Sequence, residues 1–148
     1  MLIAYYELLS KCPANCPHCH VPIELRRINP IVKSLNIVES EFEKLAELGV
    51  KDIVISGGEP TMHEHLLMVL KKANEKFDEI SLITNAVRSK VLRKVLDLGL
   101  SNLSVWISVD WFGISHDKWR RIRGLWNTIL KFKDEINLRA TLMSKNVE

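Results

Sequence analysis

Glutamine is absent from this 148-residue chain, and cysteine is confined to three residues, Cys12, Cys16 and Cys19. An odd number of thiols packed that tightly makes a poor disulfide framework and points to a reducing compartment; metal ligation is the reading that uses all three. No apolar run reaches the roughly 18 residues of a membrane span. The opening Met1-Leu2-Ile3-Ala4-Tyr5-Tyr6-Glu7 lacks the charged region and long apolar stretch of a secretory leader. A cytoplasmic chain without a membrane partner is therefore expected. Charge of one sign is also scarce in excess: 21 Lys and Arg against 18 Asp and Glu leave a formal +3. The densest basic cluster, Lys118, Arg120, Arg121 and Arg123, surrounds Trp119 but lacks the aromatic platforms of single-strand binders. It reads as the solvated face of an amphipathic helix, so a nucleic-acid partner is not expected. The missing glutamine is a thermophile trait.

What is present is an ordinary globular composition, 47% hydrophobic and 26% charged, with no domain linker and no internal repeat. One domain over residues 1–148 is expected. Strand-like runs alternate with helical patterns, which argues for βα units and a parallel sheet. Strands are expected at 2–9, 52–56, 79–84, 103–109 and 136–143. Helices are expected from about Asn36 to Gly49, where Asn36 and Glu39 form a variant capping box, and from about 63 to 76. A third is expected over 87–96, ending at Gly99, and a fourth, unbroken, over about 115–132. This is α/β architecture with five parallel strands and four crossover helices. Right-handed crossovers put every helix on one side and curl the sheet, giving an open partial (β/α) barrel too short in strands to close. Ligands of such folds sit at the carboxyl ends of strands, where Cys12, Glu59, Asn85 and Asp110 fall.

The first of these ends reads Cys12-Pro13-Ala14-Asn15-Cys16-Pro17-His18-Cys19. Spacings of three and two residues let one short loop wrap a compact metal centre, and the two prolines keep helix from forming across it. A [4Fe-4S] cluster usually takes four cysteines. Three leave one iron open to a small molecule with amine and carboxylate donors. A structural zinc site of Cys3His type, completed by His18 or His20, is the alternative on this segment alone. The second end reads Ser56-Gly57-Gly58-Glu59-Pro60, between a strand and a helix. Paired glycines permit positive φ and close backbone approach, and the Glu59 carboxylate offers acceptors to an ammonium group.

The C-x3-C-x2-C loop followed one βα unit later by Gly-Gly-Glu-Pro resembles the radical SAM superfamily, with His18 in the place of the family's aromatic residue. Ile83-Thr84-Asn85 resembles its third-strand segment and Ser108-Val109-Asp110 its fourth. His116-Asp117-Lys118-Trp119-Arg120 followed by Gly124 resembles a stretch of its molybdopterin-cofactor and peptide-maturase branch, although Arg121 stands where that pattern has a glycine. The resemblance implies a [4Fe-4S] cluster on Cys12, Cys16 and Cys19 and S-adenosylmethionine held by Gly57, Gly58, Glu59 and Pro60. Thr84, Asn85, Ser108 and Asp110 are further candidates to touch its carboxylate and ribose, and His18 packs beside the cluster. It also implies an oxygen-sensitive enzyme that cleaves S-adenosylmethionine to a 5′-deoxyadenosyl radical for hydrogen abstraction from an unknown substrate. An electron donor such as flavodoxin or ferredoxin is then a partner. The family core has six strands, so the sixth is expected to be absent here, and a partner chain or oligomer would complete the barrel. A non-catalytic binding protein with the same fold, or a zinc-stabilised interaction module, is the alternative. No residue stands out as a substrate acid or base.

Overall fold

Residues 2–147 are described in the computed structural model of the chain. Five parallel strands lie side by side in chain order: β1 (Leu2–Leu9), β2 (Val50–Gly57), β3 (Glu79–Thr84), β4 (Leu103–Ser108) and β5 (Asn137–Arg139). The connecting helices are α1 (Leu35–Glu47), α2 (Leu66–Lys76), α3 (Ser89–Leu96) and the pair α4 (Ile114–Arg120) and α5 (Leu125–Phe132). The expected open α/β partial barrel is what forms.

The pleat explains the layering, because successive strand residues point to opposite faces. Ile53, Ile55, Ile80, Leu82, Val105 and Ile107 are buried in the core with Val38, Phe42, Leu70, Leu92 and Val95 of the helices. Phe42 stands at its centre, edge-on to both Tyr6 and Phe77. Burying one such ring contributes about 2–3 kcal/mol. The alternate positions, Tyr5, Val54, Ser81, Ile83, Trp106 and Leu138, line a trough on the other face. Tyr5 is 75% exposed there, so this side of the sheet is bare.

Several boundaries differ from the sequence expectations, each for a local reason. Helix α1 starts at Leu35 after Ser34, with no side-chain cap, so the Asn36–Glu39 capping box does not form. Glu39 instead approaches Lys72 of α2. Before α2, Pro60–Met62 makes a 3₁₀ turn started by the Glu59 carboxylate, which accepts from the Thr61 backbone N–H. The polar stretch after the cysteines contains a π-helical turn, Glu24–Ile28.

The expected single helix over 115–132 is two helices. Arg121 closes α4 in the left-handed region (φ 57°), and Gly124 (φ 78°) opens α5. The Asp117 carboxylate caps the second helix, accepting from the backbone N–H groups of Gly124 (2.6 Å) and Trp126 (2.7 Å). Strand β5 is three residues rather than eight. Just beyond Arg139, the N–H of Thr141 turns to the Asp110 side chain (3.1 Å) instead of continuing the ladder.

Candidate functional site

All five strands end at one rim, and the loops leaving them enclose a cleft of about 840 Å³, its open mouth included. Cys12, Cys16, Cys19 and His18 line it from the first loop, Gly57, Gly58 and Glu59 from the second, Thr84 and Asn85 from the third, and Ser108 from the fourth. Ten of the twelve residues singled out in the sequence thus share one space. Pro60 and Asp110 do not line it.

The base of the cysteine loop is held by backbone contacts. Gly57 (φ 127°) and Gly58 run against its base so closely that a Cβ on Gly57 would meet the Leu9 carbonyl oxygen at 2.2 Å. One on Gly58 would meet the carbonyl oxygens of Ser10 at 2.2 Å and Lys11 at 2.4 Å. In return, Gly58 N–H donates to Leu9 O (2.6 Å) and Glu59 N–H to Lys11 O (2.8 Å). The close approach that glycine permits is therefore to the cysteine loop itself. From the other side, Arg26 of the π turn donates to Val21 O (2.9 Å) and Ala14 O (2.8 Å).

Glu59 is 1% exposed. Its Oε1 accepts from the Thr61 N–H and hydroxyl and from the Thr84 hydroxyl, and its Oε2 from the Asn85 N–H (2.7 Å). Burial raises its pKa, and these four donors act against that rise. The Thr84 hydroxyl also accepts from Ala86 N–H, which fixes its orientation toward Glu59. Asn85 bridges the site: its Nδ2 faces Cys12 Sγ at 3.6 Å while its Oδ1 accepts from Val87 N–H.

The fourth loop is held by side chains. Asp110 accepts from Arg120 Nη2 (2.6 Å) and Thr141 N–H (3.1 Å), and its carbonyl from Asn146 Nδ2 (3.1 Å). It is a tether that turns Arg120 toward the cleft, which Arg120 lines. Arg120 Nε is buried without a partner. Its carbonyl receives Asn15 N–H of the cysteine loop (3.2 Å). Sequence patterns placed none of Arg26, Arg120, Arg139 and Thr141 at the cleft, which all four line; only Arg120 carries a signal beyond charge or polarity, as the end of the His116-to-Arg120 stretch.

The donor set can be tested against the two metal centres. The Cys12 thiol is pushed up to about 11, first by burial, and Cys16 is raised for the same reason. Both are neutral until a metal takes their protons. His18 Nδ1 accepts from Trp119 Nε1 (2.8 Å), which fixes the proton on Nε2, 3.7 Å from Asp110. Burial lowers the His18 pKa, so the ring is neutral. His20 is exposed beside Glu7. Among the described residues no three of His, Cys, Asp and Glu close around a single ion. The three thiols do not close on one another either, and they line one cleft whose far side is open, an arrangement with space for a cluster broader than a single ion.

Comparison with known proteins agrees with this geometry. The family model described as Radical SAM superfamily matches residues 6–136. A "PqqA peptide cyclase" of Bradyrhizobium diazoefficiens is 29% identical over 95% of this chain, and an "Fe-coproporphyrin III synthase" of Methanosarcina barkeri 26% over 98%. The chain spans 38% of the length of each. Among solved structures, Streptococcus suis SuiB bound to precursor peptide SuiA shares the fold, with a TM-score of 0.77 at 15% identity, over 99% of this chain and 35% of SuiB. SuiB bound to S-adenosylmethionine superposes with a TM-score of 0.69 at 17% identity, over 99% of this chain and 34% of SuiB. No helix among the described residues is long and apolar enough to cross a membrane.

Proposed function

Because the chain belongs to the radical SAM superfamily, whose members bind a [4Fe-4S] cluster and S-adenosylmethionine, we propose that it is the catalytic core of such an enzyme. Cys12, Cys16 and Cys19 are the cluster ligands, and residues 1–148 act as one core domain whose bare β5 edge a further strand or a partner chain covers. The observation that carries this reading is the clamp of Gly57 and Gly58 on the base of the cysteine loop. It ties the metal-binding loop to the loop that carries Glu59, a coupling that a lone zinc loop does not need.

A reduced cluster held by Cys12, Cys16 and Cys19 would supply one electron for reductive cleavage of S-adenosylmethionine. The chain's own residues position and shield. Asn85 directs an N–H at Cys12 Sγ, which favours the thiolate needed for ligation. Glu59 Oε2, with one internal donor against three on Oε1, keeps a lone pair with which to accept from the ammonium group of the cofactor. Thr84 acts through Glu59 as a positioning residue. Ser108 faces the cleft, and Arg120, aimed there by Asp110, offers a cation to a carboxylate. His18 packs against Trp119 as the aromatic wall of the loop.

A peptide is the substrate class favoured here, since one relative is named a peptide cyclase and one structural neighbour was solved with a precursor peptide. The bare trough from Tyr5 to Leu138 opens beside the cleft, sharing Ile83 and Arg139 with it, and is long enough in apolar side chains to take an extended segment.

Anaerobic reconstitution followed by dithionite and S-adenosylmethionine tests the core of the reading. The expected result is about four iron per chain and 5′-deoxyadenosine that disappears in Cys16→Ala. Cluster without 5′-deoxyadenosine would leave a binding protein, and one zinc in place of iron would leave an interaction module.

A further inference from the structure

The outer side of the cysteine loop is covered by α4 and the turn after it, and that covering is basic. Lys118, Arg121 and Arg123 are exposed, and none has an ion-pair partner among the described residues. They border a cleft with Ile114 and Trp126. Its one acid, Asp117, spends its carboxylate on capping α5. At the same face Phe112 is 81% and Ile114 69% exposed, with Phe112 edge-on to Trp126. An apolar centre with a charged rim is the anatomy of a protein interface.

Arg121 adds an independent sign. It sits at φ 57° and ψ 40°, a left-handed conformation that a glycine adopts freely and an arginine at a cost. A cation kept where the backbone favours glycine points to a use for the side chain.

The place of this face says what the use is. Ile122, between Arg121 and Arg123, packs on Cys12, Ala14 and Cys16. Trp119 lies parallel to His18 (ring centroids 5.8 Å apart), between the second and third cysteines. The patch is thus one side chain's thickness from the metal-binding loop, yet shares no residue with the cleft that would hold cofactor and substrate. A substrate peptide must reach the cleft, and a nucleic acid gains nothing from proximity to the cysteines. An electron donor does, because electron transfer falls steeply with distance.

We propose that Lys118, Arg121 and Arg123, set around Phe112 and Ile114, form the docking face for an acidic electron-carrier protein with a flavin or iron–sulfur centre. The carrier loses one electron and the cluster gains it; no proton or bond is exchanged at this step. The proposal rests on the cluster reading above, and its test keeps the two separable.

The cluster-reconstituted chain is assayed for 5′-deoxyadenosine with two reductants, dithionite and a flavodoxin hydroquinone. Reversing the charges (Lys118→Glu, Arg121→Glu, Arg123→Glu) is expected to raise the KM for flavodoxin by about tenfold or more, leaving the dithionite rate unchanged. The wild-type KM for flavodoxin rises with ionic strength. Arg121→Gly, which suits the left-handed backbone, keeps the melting temperature and still raises that KM. An unchanged KM in both variants, or a salt-independent one, overturns the proposal. So does lost affinity for an RNA oligonucleotide at unchanged flavodoxin KM. No product from the wild type with dithionite overturns the cluster reading itself, and the docking face with it.

Discussion

The two sides of the rim are built by different means. Around β1 and β2, the cysteine and glycine loops are joined backbone to backbone, with Gly58 N–H on Leu9 O and Glu59 N–H on Lys11 O, and no space for a Cβ between them. Around β4 and β5, side chains join the loops: Asp110 gathers Arg120, Thr141 and Asn146, and His116 Nδ1 lies 3.4 Å from the Asp110 N–H. The first side leaves no room for an added Cβ. The second can lose a partner and relax. The first is suited to holding an inorganic cluster in fixed geometry, and the second to shaping a cleft around organic ligands.

The sharpest break in this comparison is Gly58→Ala. Its Cβ meets backbone atoms that no side-chain rotation can clear, so the loops must part at a cost of about 3 kcal/mol or more. Iron content after reconstitution falls to background, and the denaturant midpoint drops. On the other side, Asp110→Ala leaves Arg120 buried without its counter-ion, a loss on the order of 3–4 kcal/mol. Iron content nevertheless stays near the wild-type value while affinity for S-adenosylmethionine falls. Equal iron loss in both variants would erase the distinction.

That contrast also explains what the sequence could and could not disclose. Cys12 to Cys19 and Gly57 to Pro60 are legible because their chemistry is local: thiols at fixed spacing and glycines where a Cβ is forbidden. The strand and helix order is legible from periodicity, as each strand needs a buried face. The place of Arg120 at the cleft is not, even though the residue stands in a family-like stretch, because it is held there by Asp110, ten residues earlier in the chain. Arg26 arrives by way of a π turn that no apolar pattern announces. Asp110 reads as a ligand from its place at a strand end, and its carboxylate accepts from Arg120 and Thr141, contacts that its strand-end position does not announce. The helix expected over 115–132 breaks because Asp117 prefers the N–H groups of Gly124 and Trp126, a choice that helical spacing does not encode.

The side-chain region should also be the acid-labile one. His116 is fully buried, and burial is the first cause that lowers its pKa to about 4, with Arg120 adding to it. Its folded pKa lies below the unfolded value of about 6.5, so between those pH values the unfolded chain binds the extra proton. Stability is full above pH 6.5 and declines as pH falls toward 4, by up to about 3 kcal/mol. Chemical melts of His116→Phe across this range should lack most of that decline. The smallest effect is expected from Asn146→Ala, which frees the Asp110 and Thr141 carbonyls. About 1 kcal/mol is lost, and faster amide exchange is confined to residues after 139.

The most direct measurement is electron paramagnetic resonance of the reconstituted, reduced chain before and after S-adenosylmethionine is added. A cluster held by Cys12, Cys16 and Cys19 alone leaves one iron free to take the amine and carboxylate of the cofactor. The spectrum should therefore shift and show coupling to a 15N label in the amino group. A spectrum unchanged by S-adenosylmethionine, or a chain that binds one zinc and no iron, would contradict it.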